Sequence, residues 1–274
     1  MSGKLYVVGT PIGNLSDFSP RAVETLSSCD FIAAEDTRVT IKLLNHFGIK
    51  KPMVSYYEHN RAGRGNQIIE RILNGESCAL VSDAGMPIIS DPGEDLTKLC
   101  YENNIEVCAV PGPCAFVTAL AISGMTSGRF TFEGFLTTAK QNRRKHLEEL
   151  VNEKRTMIFY EAPHKLPATL ADMAEYFGNR KIALVKELTK IHENVERTTL
   201  FDAAEKYKNG SLKGEFVVIV EGKPEEEKAV ITLEDAAEMA NELVKNGVSV
   251  NEASKEIAKK TGLKKSDIYK ALLG

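Results

Sequence analysis

The sequence has little of what disulfide, metal or membrane chemistry requires. Its 274 residues contain no tryptophan and five cysteines, none in C-x-x-C spacing, so we expect reduced thiols and no disulfide framework. The five histidines are scattered without ligand spacing, so we expect no metal site. No stretch approaches the about 18 consecutive apolar residues of a membrane span. Residues 1–4 lead into a strand-like run without a secretion leader, so we predict a cytoplasmic protein with no membrane partner.

Charge and composition place few limits on the partner. The net charge is −3 at pH 7, with 43% apolar and 27% charged residues, which is ordinary for a globular chain. No global positive charge draws the chain to nucleic acid, so such binding would have to come from local basic patches. A length of 274 residues predicts two or more domains.

The first half of the chain alternates strand and helix patterns. Apolar runs are followed by segments with apolar residues at helical spacing, and Ser19 with Pro20 predicts the start of one helix. This alternation favours a parallel sheet with helices on both faces. The predicted strands are residues 5–8, 31–34, 78–82 and 105–110.

Past a Gly/Ser/Thr connector at residues 123–129 the pattern is that of a mixed sheet, with strands predicted at 130–135, 156–160, 181–186 and 215–221. A charged linker at 223–228 precedes three short helical patterns, with Thr232 as a cap and Gly247 and Gly262 as stops. We predict an α/β fold. Its domains are an N-terminal parallel-sheet domain at 1–120, a second, mixed-sheet α/β domain at 121–222, and a small helix-turn-helix-like domain at 228–274.

Three of the predicted parallel strands end in loops rich in Gly and Pro, at residues 9–15, 83–93 and 111–115. In an open α/β sheet, ligands bind at the carboxyl ends of the strands, so these loops predict a small-molecule site. The first loop has neither the G-x-G-x-x-G spacing of a dinucleotide site nor the Gly-Lys of a P-loop. Its sequence therefore argues against a nicotinamide or a nucleoside triphosphate.

Together with later motifs, these loops carry a family resemblance. The chain resembles the tetrapyrrole-methylase superfamily of S-adenosyl-methionine enzymes, and within it the branch that methylates small-subunit ribosomal RNA. The resemblance covers roughly residues 5–222, with small departures at Met86, where Thr is usual, and at Lys165, where Arg is commoner. The matching runs are residues 9–15, 34–38, 82–93, 111–115, 133–136, 159–165, 186–190 and 213–215.

The resemblance implies transfer of a methyl group to the ribose 2′-hydroxyl of a cytidine in the decoding region of 16S ribosomal RNA, in the small ribosomal subunit. It also implies a two-domain α/β fold, a homodimer, and S-adenosyl-methionine held in the cleft between the domains. The residues that we expect to bind this cofactor are Gly9, Thr10, Pro11, Asp83, Ala84, Gly85, Pro87, Ile88, Pro111, Gly112, Cys114, Ala115, Tyr160 and Gly214.

Catalysis at a ribose hydroxyl requires a general base or a cation that stabilises the alkoxide. Glu187 lies beside Lys186 and Lys190, and these positive charges would lower the pKa of its carboxyl and weaken it as a base. A desolvated Lys186 is the alternative base, and the sequence leaves both open. The candidate catalytic residues are Glu187, Lys186, Lys190, Asp36 and Glu35, with Glu161 and Glu193 as further carboxylates.

Local basic clusters are the candidates for RNA contact. Residues 255–270 contain six lysines against two acidic residues, in a helix-turn-helix-like pattern. Each cluster has a plain alternative, a solvated helix face without a ligand. The candidates are Arg38, Arg61, Arg64, Lys140, Arg143, Arg144, Lys264 and Lys265.

Two other functions compete with RNA methylation. One is C-methylation of a porphyrinoid or corrinoid by the same fold, which would need no basic C-terminal segment. The other is a non-catalytic RNA-binding factor that keeps a cofactor pocket. The run at residues 187–190 and the C-terminal lysines argue against the porphyrinoid alternative.

Overall fold

The computed structural model describes residues 2–209, 212–224 and 231–273. The chain divides into two compact units, Met1–Pro224 and Glu225–Gly274. In its described residues the first unit contains two five-stranded sheets, and the second contains three helices. None of the described helices combines the length and the apolar character needed to cross a membrane.

The first sheet is parallel, in the order β3-β2-β4-β1-β5, which confirms the predicted parallel sheet. The apolar pattern missed β3, because its three residues are only partly buried. The strands are β1 (Lys4–Val8), β2 (Phe31–Ala34), β3 (Met53–Ser55), β4 (Cys78–Val81) and β5 (Glu106–Val110).

Helices cover both faces of this sheet. The helices α1 (Pro20–Ser28) and α2 (Thr37–His46) pack on one face, and α3 (Arg61–Leu73) and α4 (Glu94–Glu102) pack on the other. The chain therefore leaves β1 toward one face and its neighbour β4 toward the opposite face. Such a reversal opens a crevice at the carboxyl ends of the two strands.

The second sheet has the order β6-β7-β10-β8-β9, in which β6 and β7 are parallel and the other pairs antiparallel. This confirms the predicted mixed sheet. The sequence pattern missed β9, because its residues are mostly polar and lie at the sheet edge. The strands are β6 (Phe130–Phe135), β7 (Thr156–Glu161), β8 (Lys181–Lys186), β9 (Asn194–Thr199) and β10 (Phe216–Val220).

Helices also cover both faces of the second sheet. One face packs against three helices around the buried Phe159 and Leu170. The other face packs against a single helix through Ala119 and Leu120. The three helices are α6 (Lys140–Leu150), α7 (Leu166–Phe177) and α8 (Leu200–Tyr207), and the single helix is α5 (Ala115–Ser123).

Helix α5 follows the last strand of the first sheet but is fixed at both ends to the second sheet. At its first turn, the backbone N–H of Phe116 donates to the Tyr160 hydroxyl oxygen at 3.1 Å. At its last turn, Arg197 donates to the carbonyl oxygens of Ser123 and Ile122, at 2.6 and 3.2 Å, where a cation also complements the helix dipole. The domain boundary expected after residue 120 falls inside this helix, and the division of residues 1–222 into two domains stays a prediction.

The second unit is a small helical bundle. Its helices are α9 (Leu233–Lys245), α10 (Val250–Thr261) and α11 (Lys265–Leu273), which pack around small and aliphatic side chains such as Ala253 and Ile257. Thr232 caps α9 in a capping box with Asp235, and Gly262 ends α10 at φ 77°, as the sequence predicts. The predicted start at residue 228 and most of the charged linker lie outside the described residues.

Candidate active site

A cavity of about 510 Å³ lies where the carboxyl ends of the first sheet meet the second sheet. Pockets for drug-sized ligands and cofactors span roughly 300–1,000 Å³, so this one has room for a nucleoside-containing molecule. Its walls come from the β4–α4 loop, the start of α5, the end of β7, the β8–β9 loop and the start of β10. Predicted residues that line it are Glu35, Asp83, Ala84, Gly85, Cys114, Ala115, Tyr160, Glu161 and Lys190.

The remaining predicted cofactor residues form the loops behind these walls rather than the lining. Thr10 and Gly85 exchange two backbone hydrogen bonds, at 2.9 and 3.1 Å, which tie the loops after β1 and β4 together. The residues that the cavity wall does not include are Gly9, Thr10, Pro11, Pro87, Ile88, Pro111, Gly112 and Gly214.

Gly9 and Gly112 allow two of these loops to touch. A Cβ atom built on Gly112 would lie 2.9 Å from the Cα, carbonyl carbon and carbonyl oxygen of Gly9. One built on Gly9 would lie 2.7 Å from the Gly112 backbone and 2.8 Å from the Met86 sulfur. In this structure these glycines permit backbone-to-backbone packing of the two loops, and their role as cofactor residues stays a prediction.

Backbone strain is concentrated in two loops at the cavity. Ile88 and Ser90 in the β4–α4 loop have φ of 79° and 67°, and Glu187 and Thr189 in the β8–β9 loop have φ of 52° and 64°. A left-handed conformation is unfavourable for these residue types, most of all for the β-branched Ile88 and Thr189. Such strain costs about 1–3 kcal/mol per residue and collects at functional sites, where the surrounding fold holds it.

Three carboxylates converge on the wall formed by the first sheet: Glu35, Asp83 and Asp91. Glu35 accepts from the Asp83 backbone N–H at 3.3 Å, and Asp83 accepts from the Asp36 backbone N–H at 3.1 Å. Burial raises the pKa of Glu35 and of Asp83. Burial, reinforced by the charge of Glu35, raises the pKa of Asp91 to about 6. Burial therefore disfavours the ionised form of all three carboxylates on this wall.

Asp36 has a structural role beside this wall. It caps α2 by accepting from the Arg38 backbone N–H at 2.8 Å, and it pairs with the Arg38 guanidinium at 2.6 Å. The hydrogen bond from the Arg38 side chain is the main reason that the Asp36 pKa falls to about 2. A carboxyl this acidic is a poor general base near pH 7, so we remove Asp36 from the catalytic candidates.

Glu187 and Lys190 form an ion pair on the opposite side of the cavity. Glu187 Oε1 accepts from Lys190 Nζ at 3.1 Å and from the Glu215 backbone N–H at 3.2 Å. The hydrogen bond from Lys190 is the main cause of a lowered Glu187 pKa, in the direction that the sequence predicts. Lys190 lines the cavity and Glu187 stands behind it.

Two glycines make room for this pair. A Cβ atom on Gly214 would lie 2.5 Å from Glu187 Oε1, and one on Gly13 would lie 2.6 Å from the Lys190 Cγ. Gly214 thus accommodates the Glu187 side chain rather than lining the cavity. Lys186 lies off the lining, with its Nζ 5.9 Å from the centre of the Phe216 ring.

An aromatic pair borders the cavity at the end of β6 and β7. The rings of Phe135 and Tyr160 lie 5.4 Å apart and both line the cavity. Burial raises the pKa of the Tyr160 hydroxyl, which remains protonated and accepts the hydrogen bond from α5. The neighbouring Glu161 is buried and satisfied, because it accepts from Thr169 Oγ1 at 2.5 Å and from the Ala162 N–H at 2.8 Å.

The structure corrects one RNA candidate. Arg143 forms an ion pair with Asp172 at 2.5 Å, and the two side chains are only 13% and 9% exposed. Because this guanidinium is committed inside the fold, it is not at the surface for RNA. The neighbouring Arg144 is shared between Asp172 and Glu175, at 3.5 and 2.9 Å.

The other basic candidates lie on separate surfaces. Lys140 is exposed at the start of α6, and the Arg38 side chain is 87% exposed. Arg64 lies within α3 and donates to Gln67 at 2.7 Å. Lys264 and Lys265 are exposed at the start of α11. The side chain of Arg61 lies outside what the structure describes.

Sequence reasoning missed Asp91, Phe135 and His164 as lining residues. All three lie in runs that carry the family resemblance, which was the available signal. Nothing local to these runs distinguishes a lining side chain from its neighbours. Within the described part of the chain, no three His, Cys, Asp or Glu side chains are arranged to hold a metal ion.

Residues 4–204 match the family of tetrapyrrole (corrin/porphyrin) methylases, and the chain belongs to this family. It is a methyltransferase whose methyl donor is S-adenosyl-methionine. The chain is 45% identical over 272 residues to ribosomal RNA small subunit methyltransferase I of Synechocystis sp., which covers 99% of this chain and 98% of that protein. The predicted family is thereby confirmed.

Two further comparisons bear on the organisation of the chain. The protein of the same name from Thermotoga maritima is 45% identical over 221 residues, which cover 81% of this chain and 99% of that protein. The solved structure of uroporphyrin-III C-methyl transferase from Thermus thermophilus, complexed with S-adenyl homocysteine, aligns with a TM-score of 0.57 at 13% identity, covering 79% of this chain and 97% of that chain. At this identity the likeness shows the fold alone.

Proposed function

We propose that this methyltransferase modifies 16S ribosomal RNA of the small subunit, at the ribose 2′-hydroxyl of a cytidine. The observation that carries the proposal is the 45% identity to a relative of that name over 99% of the chain. The porphyrinoid alternative has weaker support, because the solved porphyrinoid methyltransferase cited above is only 13% identical.

The cavity fits the methyl donor. Ile12, Ala115 and Val185 supply apolar lining for an adenosine group, and Glu35, Asp83 and Asp91 supply negative charge for a cation. The bound donor supplies an activated methyl group on a sulfonium. The chain's own contribution is then to hold donor and hydroxyl in line, which can lower the barrier by several kcal/mol.

Lys190 is our candidate for the cation beside the reacting hydroxyl. It projects into the cavity from the second sheet, and Glu187 fixes its ammonium group at 3.1 Å. We assign Glu187 as a positioning residue rather than a base, because its Oε1 accepts two hydrogen bonds and its pKa is lowered. Lys186 has less support, because it lies off the lining.

The C-terminal helical unit is our candidate for an accessory RNA-binding module. The Thermotoga maritima relative is matched over 99% of its length by 221 residues, so it lacks a segment of about the size of Glu225–Gly274. A relative of the same name that is shorter by about this length supports a role for the unit in RNA affinity rather than in methyl transfer. Lys264 and Lys265 are exposed on this unit, and Lys140 and Arg38 on the first.

A homodimer in the cytoplasm completes the proposal. Helix α5, with the sequence AFVTALAIS, is apolar on all sides, yet Val117 and Ile122 are 49% and 36% exposed. A helix that is apolar all round is normally covered. A second copy of the chain is the cover that we propose.

The test is transfer of a tritiated methyl group to three acceptors: small ribosomal subunits, free 16S RNA, and a porphyrinoid precursor. Label in a 2′-O-methylated cytidine, found by nucleoside analysis of the RNA, is the expected result. Label in the porphyrinoid alone would establish the same-fold alternative. Donor binding without transfer to any acceptor would favour a non-catalytic RNA-binding factor. A Lys190→Met variant is the matched protein control, since it should bind the donor but transfer the methyl group poorly.

A further inference from the structure

A β-bulge in strand β6 decides which way Phe135 points. The strand pairs with β7 in regular register up to Phe132 and again from Gly134, so Glu133 is one extra residue. Gly134 has φ 65°, a left-handed conformation that glycine adopts without strain. A Cβ atom on Gly134 would lie 3.6 Å from Ser90 Oγ, which is an ordinary contact distance. The backbone conformation of the bulge, and not a lack of space, therefore requires the glycine.

The bulge exchanges the faces of the residues that follow it. Successive side chains of a strand point to opposite faces, so regular alternation from Phe132 would direct Phe135 toward α6, α7 and α8. The extra residue instead pairs Phe135 with Tyr160, on the face that carries Phe132. Leu136 is then the side chain that packs into the core under the three helices. Bulges are frequent beside active sites, where they redirect a side chain, and this one brings a large ring to the cavity.

The redirected ring rests on a fixed support. The planes of the Phe135 and Tyr160 rings are inclined by 58°, with their centres 5.4 Å apart. Tyr160 is held by the hydrogen bond from the Phe116 backbone N–H and by an edge contact with Phe132 at 5.0 Å. Phe135 itself remains 56% exposed. A ring that is packed on one side and open on the other is preorganised for a flat ligand, because little side-chain freedom is lost on binding.

Exposure divides the apolar lining of the cavity into an inner and an outer part. Among the large apolar side chains described in this lining, Ile89 and Phe135 are the exposed ones, at 40% and 56%. The residues assigned above to the adenosine group, Ile12, Ala115 and Val185, are partly or fully buried. A nucleotide of an RNA chain stays joined to its neighbours, so it reaches the cavity from the exposed side. Phe135 therefore lies where such an acceptor enters.

We propose that Phe135 is the stacking platform for the base of the target nucleotide, an unpaired pyrimidine whose ribose receives the methyl group. The inference rests on the proposed RNA substrate and names the residue that holds its base. Specific RNA recognition commonly places an unpaired base on an aromatic side chain, since every base has a face that stacks. A base held on Phe135 fixes the attached ribose at the cavity, which Lys190 also lines. The ring binds the acceptor and takes no part in moving the methyl group or the proton.

Two other interpretations of this exposed ring lead to different results. A ring that held the adenine of the donor would, when removed, weaken donor binding. A single exposed apolar side chain without a ligand is also common on protein surfaces, and its removal would change neither donor binding nor RNA methylation. The bulge argues against this second interpretation, because it places Phe135 at the cavity in exchange for the smaller Leu136.

The test compares Phe135→Ala with the wild type in three measurements on the full chain: steady-state methyl transfer to the RNA acceptor, calorimetric titration of S-adenosyl-methionine, and Tm. Loss of one base–aromatic stack corresponds to about 5- to 150-fold in binding. We therefore expect kcat/KM for the RNA to fall by about tenfold or more, with donor Kd and Tm unchanged. Phe201→Ala is the matched control, because Phe201 is 53% exposed on α8 and is not part of the cavity lining.

Two further variants separate stacking from simple apolar contact. Phe135→Tyr keeps an aromatic face and should retain most of the wild-type kcat/KM. Phe135→Leu keeps an apolar side chain without a ring and should lose about as much as Phe135→Ala.

The RNA offers an independent measurement of the same contact. An acceptor whose target nucleotide lacks its base but keeps the 2′-hydroxyl should be methylated poorly by the wild type. Phe135→Ala should be no worse than the wild type on this abasic RNA, since both changes remove one shared contact and their effects do not add.

The failure of this inference is distinguishable from failure of the proposed function. Near-normal kcat/KM in Phe135→Ala, an equal loss in Phe201→Ala, weaker donor binding in Phe135→Ala, or additive losses on abasic RNA would each overturn the stacking platform. RNA methylation by the wild type still stands in all four cases. Absence of label in RNA with the wild type overturns both. A loss that depends on the ring and on the base supports the platform whichever pyrimidine nucleotide is modified.

Discussion

Replacement of Gly112 by alanine tests how the loops of the first sheet form a wall of the cavity. The added methyl group would lie 2.9 Å from three backbone atoms of Gly9, whereas non-bonded carbon atoms prefer about 3.5–4.0 Å. Gly112 has no positive φ, so the penalty is steric and not conformational. The obstacle is backbone rather than a flexible side chain, so the two loops must separate.

We expect this separation to cost about 1–3 kcal/mol, as overpacking of a well-packed site does. Part of the cost should appear as a lower Tm, by roughly 2–4 °C per kcal/mol in a chain of this size. The rest should appear as weaker donor binding, because Cys114 and Ala115 continue from the same loop into the cavity. Each 1.4 kcal/mol lost there is about tenfold in Kd.

The assay pairs thermal unfolding with calorimetric titration of S-adenosyl-methionine. Gly128→Ala is the matched control, because a Cβ atom there would meet no atom within 4 Å and its φ is ordinary. If Gly112→Ala matches this control in both Tm and Kd, the close loop contact has no structural importance. Loss of affinity with an unchanged Tm would instead support the prediction from sequence that Gly112 is a cofactor-binding residue.

Further predictions address other contacts. Asp172→Ala leaves the Arg143 charge buried without its partner, so urea unfolding should show a loss of about 3–5 kcal/mol. The Asp91 pKa of about 6 lies above that of an unfolded Asp, so its ionised form costs stability as pH rises through 6. Asp91→Asn should therefore stabilise the protein at pH 7.5 by about 1–2 kcal/mol, after allowance for partial exposure, and not at pH 3.5. Glu187→Gln removes the counter-charge of Lys190 and should lower turnover by about tenfold or more with donor affinity unchanged. Removal of residues 225–274 should weaken RNA binding, most at low salt, without changing donor affinity.

For each of these predictions, one outcome would contradict the reasoning. Lys98→Ala breaks an exposed pair with Glu94 and should cost about 0–1 kcal/mol, so an equal loss in Asp172→Ala would contradict the buried-pair argument. Equal stabilisation by Asp91→Asn at both pH values would mean that its ionisation is not the cause. Near-normal turnover in Glu187→Gln would clear it of the positioning role, and unchanged RNA affinity after the deletion would make the helical unit a structural cap.

The local features of this protein were predictable because they depend on neighbouring residues. Apolar runs and helical apolar patterns predicted the main strands and helices. Thr232 and Gly262 marked helix ends, since a cap acts within one turn. The two missed strands, Met53–Ser55 and Asn194–Thr199, are short or polar, and a strand with little buried side-chain surface leaves no pattern to read.

The family likewise followed from the sequence, because its loops are contiguous runs of residues. Those loops also predicted the edge of the sheet at which the cavity lies, and six of the predicted cofactor residues, Asp83, Ala84, Gly85, Cys114, Ala115 and Tyr160, line the cavity there. Which residue in a loop faces the cavity and which one supports it was not predictable from the run itself.

Only the tertiary structure decided the state of each charged side chain. The sequence predicted that Arg143 contacts RNA. In the structure it forms an ion pair inside the fold with Asp172, which lies 29 positions further along the chain. In the sequence, Asp91 is one acidic residue in a loop. In the structure, burial raises its pKa to about 6, and the charge of Glu35, which follows β2, adds to the effect. The physical reason is that desolvation and Coulomb interactions depend on distances in space between residues that are far apart in the sequence, whereas periodicity, caps and turns depend on residues that are adjacent in it.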